Sequence, residues 1–185
     1  RANLETYAGG DLWVFGYGSL MWDPAFIFAE VRRARIDGYA RRMILKDKLG
    51  ARGTEDSPGL MAALDHGPHC EGLVFRIEAA RVAQETKILW QRECVAPGYV
   101  PSTLTARIGA QDLPVLAFVA DHEADSIEAD MPRAEQLRLL TASVGFMGSS
   151  LEYLQGIAKK LRELEIEDDA LFSLLAQAEG RVAAP

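Results

Sequence analysis

Cysteine and histidine are scarce in this 185-residue chain, with two of the first and three of the second. Cys70 and Cys94 lie far apart and form no Cys-x-x-Cys pair, which excludes a disulfide scaffold and leaves two ordinary thiols. His66-Gly67-Pro68-His69-Cys70 fits no standard zinc spacing, and only the lone His122 follows it. No metal and no cofactor are expected. Long apolar runs are also missing. Nothing approaches the ~18 consecutive residues of a membrane helix. Arg1–Asp11 is polar and lacks the apolar core of a signal peptide, so a cytoplasmic protein is expected. Positive charge is in deficit, with 20 Lys and Arg against 27 Asp and Glu and a net charge of -7. Such a chain lacks the basic footprint that nucleic acid requires and the attraction to an anionic membrane. Neither is expected as a partner.

What is present is an average globular composition, 49% hydrophobic and 25% charged. That excludes disordered and fibrous classes. A chain of this length buries roughly 70% of its unfolded surface, enough for a core and an enclosed site. One domain over residues 12–178 is expected, between a flexible segment (1–11) and a C-terminal tail (179–185).

Leu12-Trp13-Val14-Phe15 reads as a buried strand feeding the loop Gly16-Tyr17-Gly18-Ser19-Leu20. Two strands are expected over Val31–Tyr39 and Arg41–Leu45, broken at Gly38, and then a loop over Gly50–Pro58. Leu60–Leu64 and Gly72–Ile77 read as strands joined by a His-Gly-Pro-His turn. Ala79–Cys94 has no internal Gly or Pro and is rich in helix formers, so it predicts a helix stopped by Pro97-Gly98. Tyr99–Ile108 and Val115–Ala120 read as strands, and Met131–Ser143, Leu151–Leu164 and Asp168–Ala178 as helices. The order shows no βαβ alternation. It predicts an α+β protein, a sheet or barrel with packed helices, and not a doubly wound fold. Gly16-x-Gly18 lacks the third glycine of a dinucleotide fingerprint.

Charge is uneven. Eight basic residues fall between Val31 and Arg52, opposed only by Asp37 and Asp47. They read either as a solvated strand face or as a source of one or two side chains that meet the carboxylate of a small anionic ligand.

On the 79–94 helix, Val82, Thr86, Leu89 and Glu93 recur at helical spacing on one face, extended by Ala79 and Trp90. Glu93 therefore sits on an apolar stripe, while Glu85 and Arg92 are expected to point elsewhere. It also occupies the last turn, where the helix dipole disfavours a carboxylate. Both effects raise its pKa and make it a candidate proton shuttle. The same pattern fits a structural carboxylate paired with a buried Arg or Tyr. The Gly16–Leu20 loop is the second candidate. Its backbone N–H groups can form a nest that holds a carboxylate or an oxyanion. Ser19 has no Gly-x-Ser-x-Gly elbow and no well-placed His, so a serine hydrolase is not expected.

Trp13-Val14-Phe15-Gly16-Tyr17-Gly18-Ser19-Leu20-Met21-Trp22 resembles the V-F-G-Y-G-S-L-[IM]-W opening of the ChaC family of γ-glutamylcyclotransferases. Gly38-Tyr39-x-Arg41, Arg52-Gly53-Thr54 with Pro58-Gly59, Gly72–Arg76, Arg92-Glu93 with Tyr99, and Gly145, Gly148 with Glu152-Tyr153 are similar to its further landmarks. Ala51, Phe146 and Ser150 depart from it, where His, Arg and Asn are usual.

The resemblance implies a γ-glutamylcyclotransferase-like fold, a small closed β-barrel with packed helices. It implies cleavage of glutathione to 5-oxoproline and cysteinylglycine. In that reading Tyr17, Gly18, Ser19 and Leu20 bind the γ-glutamyl group and Glu93 does the acid–base work. Arg52 and Tyr153 are further candidates for contact with a substrate carboxylate or amide. The substrate's own amine attacks its γ-carbonyl, a tethered reaction that requires no enzyme nucleophile, metal or activated water. Other γ-glutamyl compounds are the alternative substrates, and a silent binding protein linked to cation transport is the alternative class. A monomer or weak dimer is expected. Glu85, taken to lie off the apolar face, is the expected inert control for Glu93.

Overall fold

The computed structural model describes residues 10–94 and 97–183. The segment expected to be flexible lies outside these, except for Gly10 and Asp11. The chain divides into two compact units, Arg1–Ala40 with Leu64–Ala120, and Arg41–Ala63 with Asp121–Pro185. Its elements are β1 (Leu12–Gly16), β2 (Glu30–Asp47), β3 (Gly59–Ile77), α1 (Val82–Glu93), β4 (Tyr99–Ile108), β5 (Gln111–Ala120), α2 (Arg133–Ala142), β6 (Val144–Gly145), β7 (Gly148–Ser149), α3 (Ser150–Glu163) and α4 (Asp169–Ala183). The last helix runs past its expected end at Ala178.

Strands β1 to β5 close a barrel in the order β1-β3-β2-β4-β5, with a further β3–β5 pairing. Closure pairs the outer strands of this sheet with each other. In the first unit β1 runs antiparallel to β3, from Leu12↔Ile77 to Gly16↔Leu73. It runs parallel to β5 at Val14↔Leu116. Strands β4 and β5 form a hairpin from Tyr99↔Ala120 to Ile108↔Gln111. Its turn is Gly109-Ala110, tighter than expected, because Gly109 adopts φ +62° at little steric cost. Phe15, Leu64, Ile77, Leu89, Leu116 and Phe118 fill this unit's core.

Two expected breaks are not breaks. Gly38 bends β2 at φ +82° without ending it. His66-Gly67-Pro68-His69 is not a turn but part of the continuous strand β3. The reason is tertiary. A Cβ on Gly67 would stand 2.4 Å from the Ala40 Cβ, so glycine is what lets the two strands approach. Beside it the His66 ring stacks on Tyr39 at 5.5 Å.

The second unit packs α2, α3 and α4 together. On α3, Tyr153, Leu154, Ile157, Ala158 and Leu161 form one buried stripe. Ser149 and Glu152 cap this helix reciprocally in a capping box. Between α2 and α3, β6 and β7 make a two-residue ladder.

Candidate active site

In the first unit, β1 delivers the chain at Gly16 into a single 3-10 turn, Ser19–Met21. Tyr17 leaves the barrel side-chain inward, and its hydroxyl donates to the Phe118 carbonyl at 2.8 Å. Gly16 fits a tight exit, since a Cβ there would stand 3.0 Å from Leu20 Cβ and 3.2 Å from the Phe75 ring. The turn's own bonds begin with Met21 N–H donating to Gly18 O at 3.0 Å. The N–H groups of Gly18, Ser19 and Leu20 precede that first donor, so the turn itself supplies them no acceptor.

Helix α1 ends beside this turn. Trp90 packs edge-on against the Phe118 ring at 5.6 Å, so Phe118 anchors both the Tyr17 loop and the last helical turn. Arg92 ties them directly. Its guanidinium donates to Ser19 Oγ at 3.0 Å and to Asp23 Oδ2 at 3.2 Å, and its Nε lies 3.3 Å from Glu93 Oε1. Glu93 is the last residue of α1, with its side chain only 14% exposed. Burial pushes its carboxyl above the ordinary range, and the Arg92 charge and hydrogen bond pull it partly back. The neighbouring Cys94 thiol is also pushed up, by burial and by Glu93, so it is not poised as a thiolate.

The second unit holds the other candidates. Buried Asp47 organises the loop after β2, accepting from the N–H groups of Leu49, Arg52 and Gly53. Arg52 donates from its guanidinium to Met147 O and lies over the Tyr153 ring at 5.3 Å. Gly148, at φ +101°, makes room for it, because a Cβ there would stand 3.0 Å from Arg52 Nη1. Ser150 Oγ accepts from Leu60 N–H and donates to Arg52 O. Phe146, by contrast, is largely exposed. Tyr153 is buried. Among the described residues, no group of three His, Cys, Asp or Glu comes together in a metal-holding arrangement.

Residues 12–181 match the family model of the ChaC-like proteins. The chain belongs to the ChaC-like family. It is 31% identical over 175 residues to the glutathione-specific γ-glutamylcyclotransferase of Escherichia coli K12, covering 94% of this chain and 75% of that protein. With the enzyme of that name from Schizosaccharomyces pombe it shares 30% identity, covering 91% and 92%. A crystal structure of a yeast γ-glutamylcyclotransferase specific to glutathione superposes with a TM-score of 0.84 at 20% identity, covering 93% of this chain and 97% of that one. That similarity shows a shared fold, so the expected barrel with helices is the fold this chain has.

Within this ChaC-like chain, Glu93 and the Tyr17–Leu20 loop are brought together in one unit, and Arg52 and Tyr153 in the other. Two expectations about α1 fail. Arg92 does not point away; it is the link between the loop and Glu93. Glu85 does not lie off the apolar face either. It is fully buried, with Thr86 and Leu89, and its Oε2 accepts from Ile27 N–H at 3.0 Å. Among the described groups its Oε1 has no hydrogen-bond partner. The buried stripe is thus rotated by about one residue position toward the 23–29 segment, which offers the Ile27 N–H. Glu85 cannot act as an inert surface control. The sequence signals for Arg92 are its place in the Arg92-Glu93 landmark and its position in the last turn, where a cation suits the helix dipole.

Proposed function

We propose that this protein is a γ-glutamylcyclotransferase that converts glutathione to 5-oxoproline and cysteinylglycine, with Glu93 as general base and acid. The observation that carries the reading is a carboxylate of raised pKa, buried at the end of α1 and clamped by Arg92 against a glycine-containing loop. The names of the relatives support the substrate.

The chemistry asks little of the protein. The substrate α-amine attacks its own γ-carbonyl, the new C–N bond closes a five-membered lactam, and the peptide C–N bond to cysteine breaks. Holding the γ-glutamyl chain in an attack conformer supplies an effective molarity of up to about 10⁵ M or more. Glu93 takes a proton from the substrate ammonium and returns it to the departing cysteinylglycine amine; the second proton that the attacking nitrogen loses as the lactam forms passes to solvent or to that amine, which leaves as the ammonium. General acid–base catalysis of this kind contributes roughly 10²–10⁴-fold. The raised pKa suits the exchange, since a base with an ordinary carboxylate pKa holds its proton too weakly to return it near neutral pH. The N–H groups of Gly18, Ser19 and Leu20 supply donors to the γ-glutamyl group or to the oxyanion. Within the second unit, Arg52 over Tyr153 is the candidate contact to a substrate carboxylate. Cys70 and Cys94 are not joined in a disulfide, which supports a reducing compartment such as the cytoplasm.

The test is Glu93→Gln, assayed for 5-oxoproline and cysteinylglycine from glutathione and checked for folding by circular dichroism. A folded, inactive variant is expected. Turnover near wild type would remove Glu93 from the mechanism. Glutathione binding by the wild-type protein without product would replace the enzyme reading with a binding one.

A further inference from the structure

Glu85 is a buried carboxylate that the cyclisation chemistry does not use. It lies in the first turn of α1, fully buried, and its Oε2 accepts from Ile27 N–H at 3.0 Å. Among the described groups its Oε1 meets no donor. A carboxylate buried with one oxygen unsatisfied costs stability, and an apolar side chain of similar size would fill the same space without that cost. What the carboxylate holds is the segment that follows the Tyr17–Leu20 loop.

That segment is strained. Between Asp23 and Ile27 the chain passes through Ala25 in the left-handed region, at φ +62°. A residue with a Cβ stays there only when its surroundings impose it. Phe26 and Phe28 flank Ile27 and pack on the Phe75 ring at 5.7 and 5.0 Å. Apolar packing is non-directional, so it holds the segment to β3 without setting the direction of the peptide between the two rings. The hydrogen bond to Glu85 sets it. Upstream, Asp23 N–H donates to Ser19 O at 2.9 Å, and the Asp23 carboxylate accepts from Arg92. That carboxylate is 59% exposed, and an exposed ion pair is weak by itself. Its place therefore depends on the backbone that carries it. Glu85 and Arg92 stand seven residues apart, two helical turns, so one face of α1 grips the segment on both sides of Ala25.

We infer that Glu85 is a positioning residue for the γ-glutamyl reaction. By fixing Ile27 beyond the strained Ala25 it keeps Asp23 on Arg92, and so keeps Arg92 between Ser19 and Glu93. The inference rests on the function proposed above, with Glu93 as the group that moves the proton.

Three substitutions test it. Glu85→Met fills the space but accepts nothing, Glu85→Gln keeps an acceptor, and Asp23→Ala removes the exposed carboxylate that receives Arg92. Each is assayed for 5-oxoproline release from glutathione and for amide hydrogen exchange by mass spectrometry. Glu85→Met should lower kcat about tenfold or more, and Glu85→Gln should recover most of that loss. Asp23→Ala should lose a comparable factor. The Glu85→Met, Asp23→Ala double variant should lose little more than either alone, because both act along one path. Exchange in Glu85→Met should accelerate over residues 17–29 while β4 and β5 stay protected. Near-wild-type kcat in a folded Glu85→Met protein overturns the inference, as does a double variant whose loss is the product of the two single losses. If Glu85→Met does not fold, Asp23→Ala decides, and wild-type kcat in it removes the path. No turnover by the wild-type protein would remove the proposed function instead, and the exchange comparison would then decide whether Glu85 holds the loop.

Discussion

Replacing Arg92 with Gln should move the acid limb of the kcat/KM profile to higher pH. The sign follows from two opposed effects on Glu93. Burial raises its pKa and Arg92 lowers it, so removing the cation leaves burial unopposed. Glu93 must be ionised to accept the ammonium proton, and that form then exists only at higher pH. Unit charges at the 3.3 Å separation of Arg92 Nε and Glu93 Oε1 attract by roughly 1.3 kcal/mol in a water-like medium and roughly 5 kcal/mol at an effective dielectric of ~20. The side chains are 20% and 14% exposed, which places the pair between these limits. An upward shift of the limb is expected, because the lost attraction exceeds thermal energy at either limit. The assay is 5-oxoproline release at subsaturating glutathione across pH. Arg92 also holds Ser19, so Ser19→Ala is the control. It breaks that hydrogen bond without touching the charge and should leave the limb in place while lowering the rate. Arg92→Lys should restore most of the limb position. An unmoved or acid-shifted limb in Arg92→Gln would refute the reasoning.

Three further outcomes are expected. Glu85→Ala removes the acceptor of the part-buried Ile27 N–H and leaves a cavity where the buried carboxylate stood, so it should cost about 2–4 kcal/mol in urea unfolding. Glu85→Gln keeps an acceptor for that N–H and should recover more than half of the loss, and equal stability of the Ala variant and wild type would deny Glu85 its role. A Cβ on Gly53 would stand 1.9 Å from Gly59 N, so Gly53→Ala should cost about 3 kcal/mol or more. Gly109 has φ +62° and open space around it, so Gly109→Ala should cost only about 1–2 kcal/mol, and a reversed order of the two midpoints would contradict the packing. Arg52→Met should raise KM for glutathione about tenfold with kcat nearly unchanged, whereas an unchanged KM would remove Arg52 from substrate binding.

Local pattern alone determined most of the elements. The strand before Gly16, the helix before Pro97-Gly98 and the three later helices all follow from apolar spacing and helix breakers, because each is stabilised by its own period. Glu93 was legible for the same reason, as a charge at a position where the 3.6-residue repeat calls for an apolar group. What only the tertiary structure decided are the places where one segment's conformation depends on another. The His66–His69 stretch reads as a turn because Gly-Pro breaks most local structure, yet it stays extended because Gly67 admits the close approach of Ala40. Glu85 reads as a solvent-facing charge, yet it is buried because the distant Ile27 N–H needs an acceptor. Arg92 reads as pointing away from the apolar face, yet it spans from Ser19 to Glu93 because Phe118 brings loop and helix end to the same point. Helical period ranks the faces of a helix by average polarity. It does not contain the partner whose single donor or acceptor decides which face turns inward.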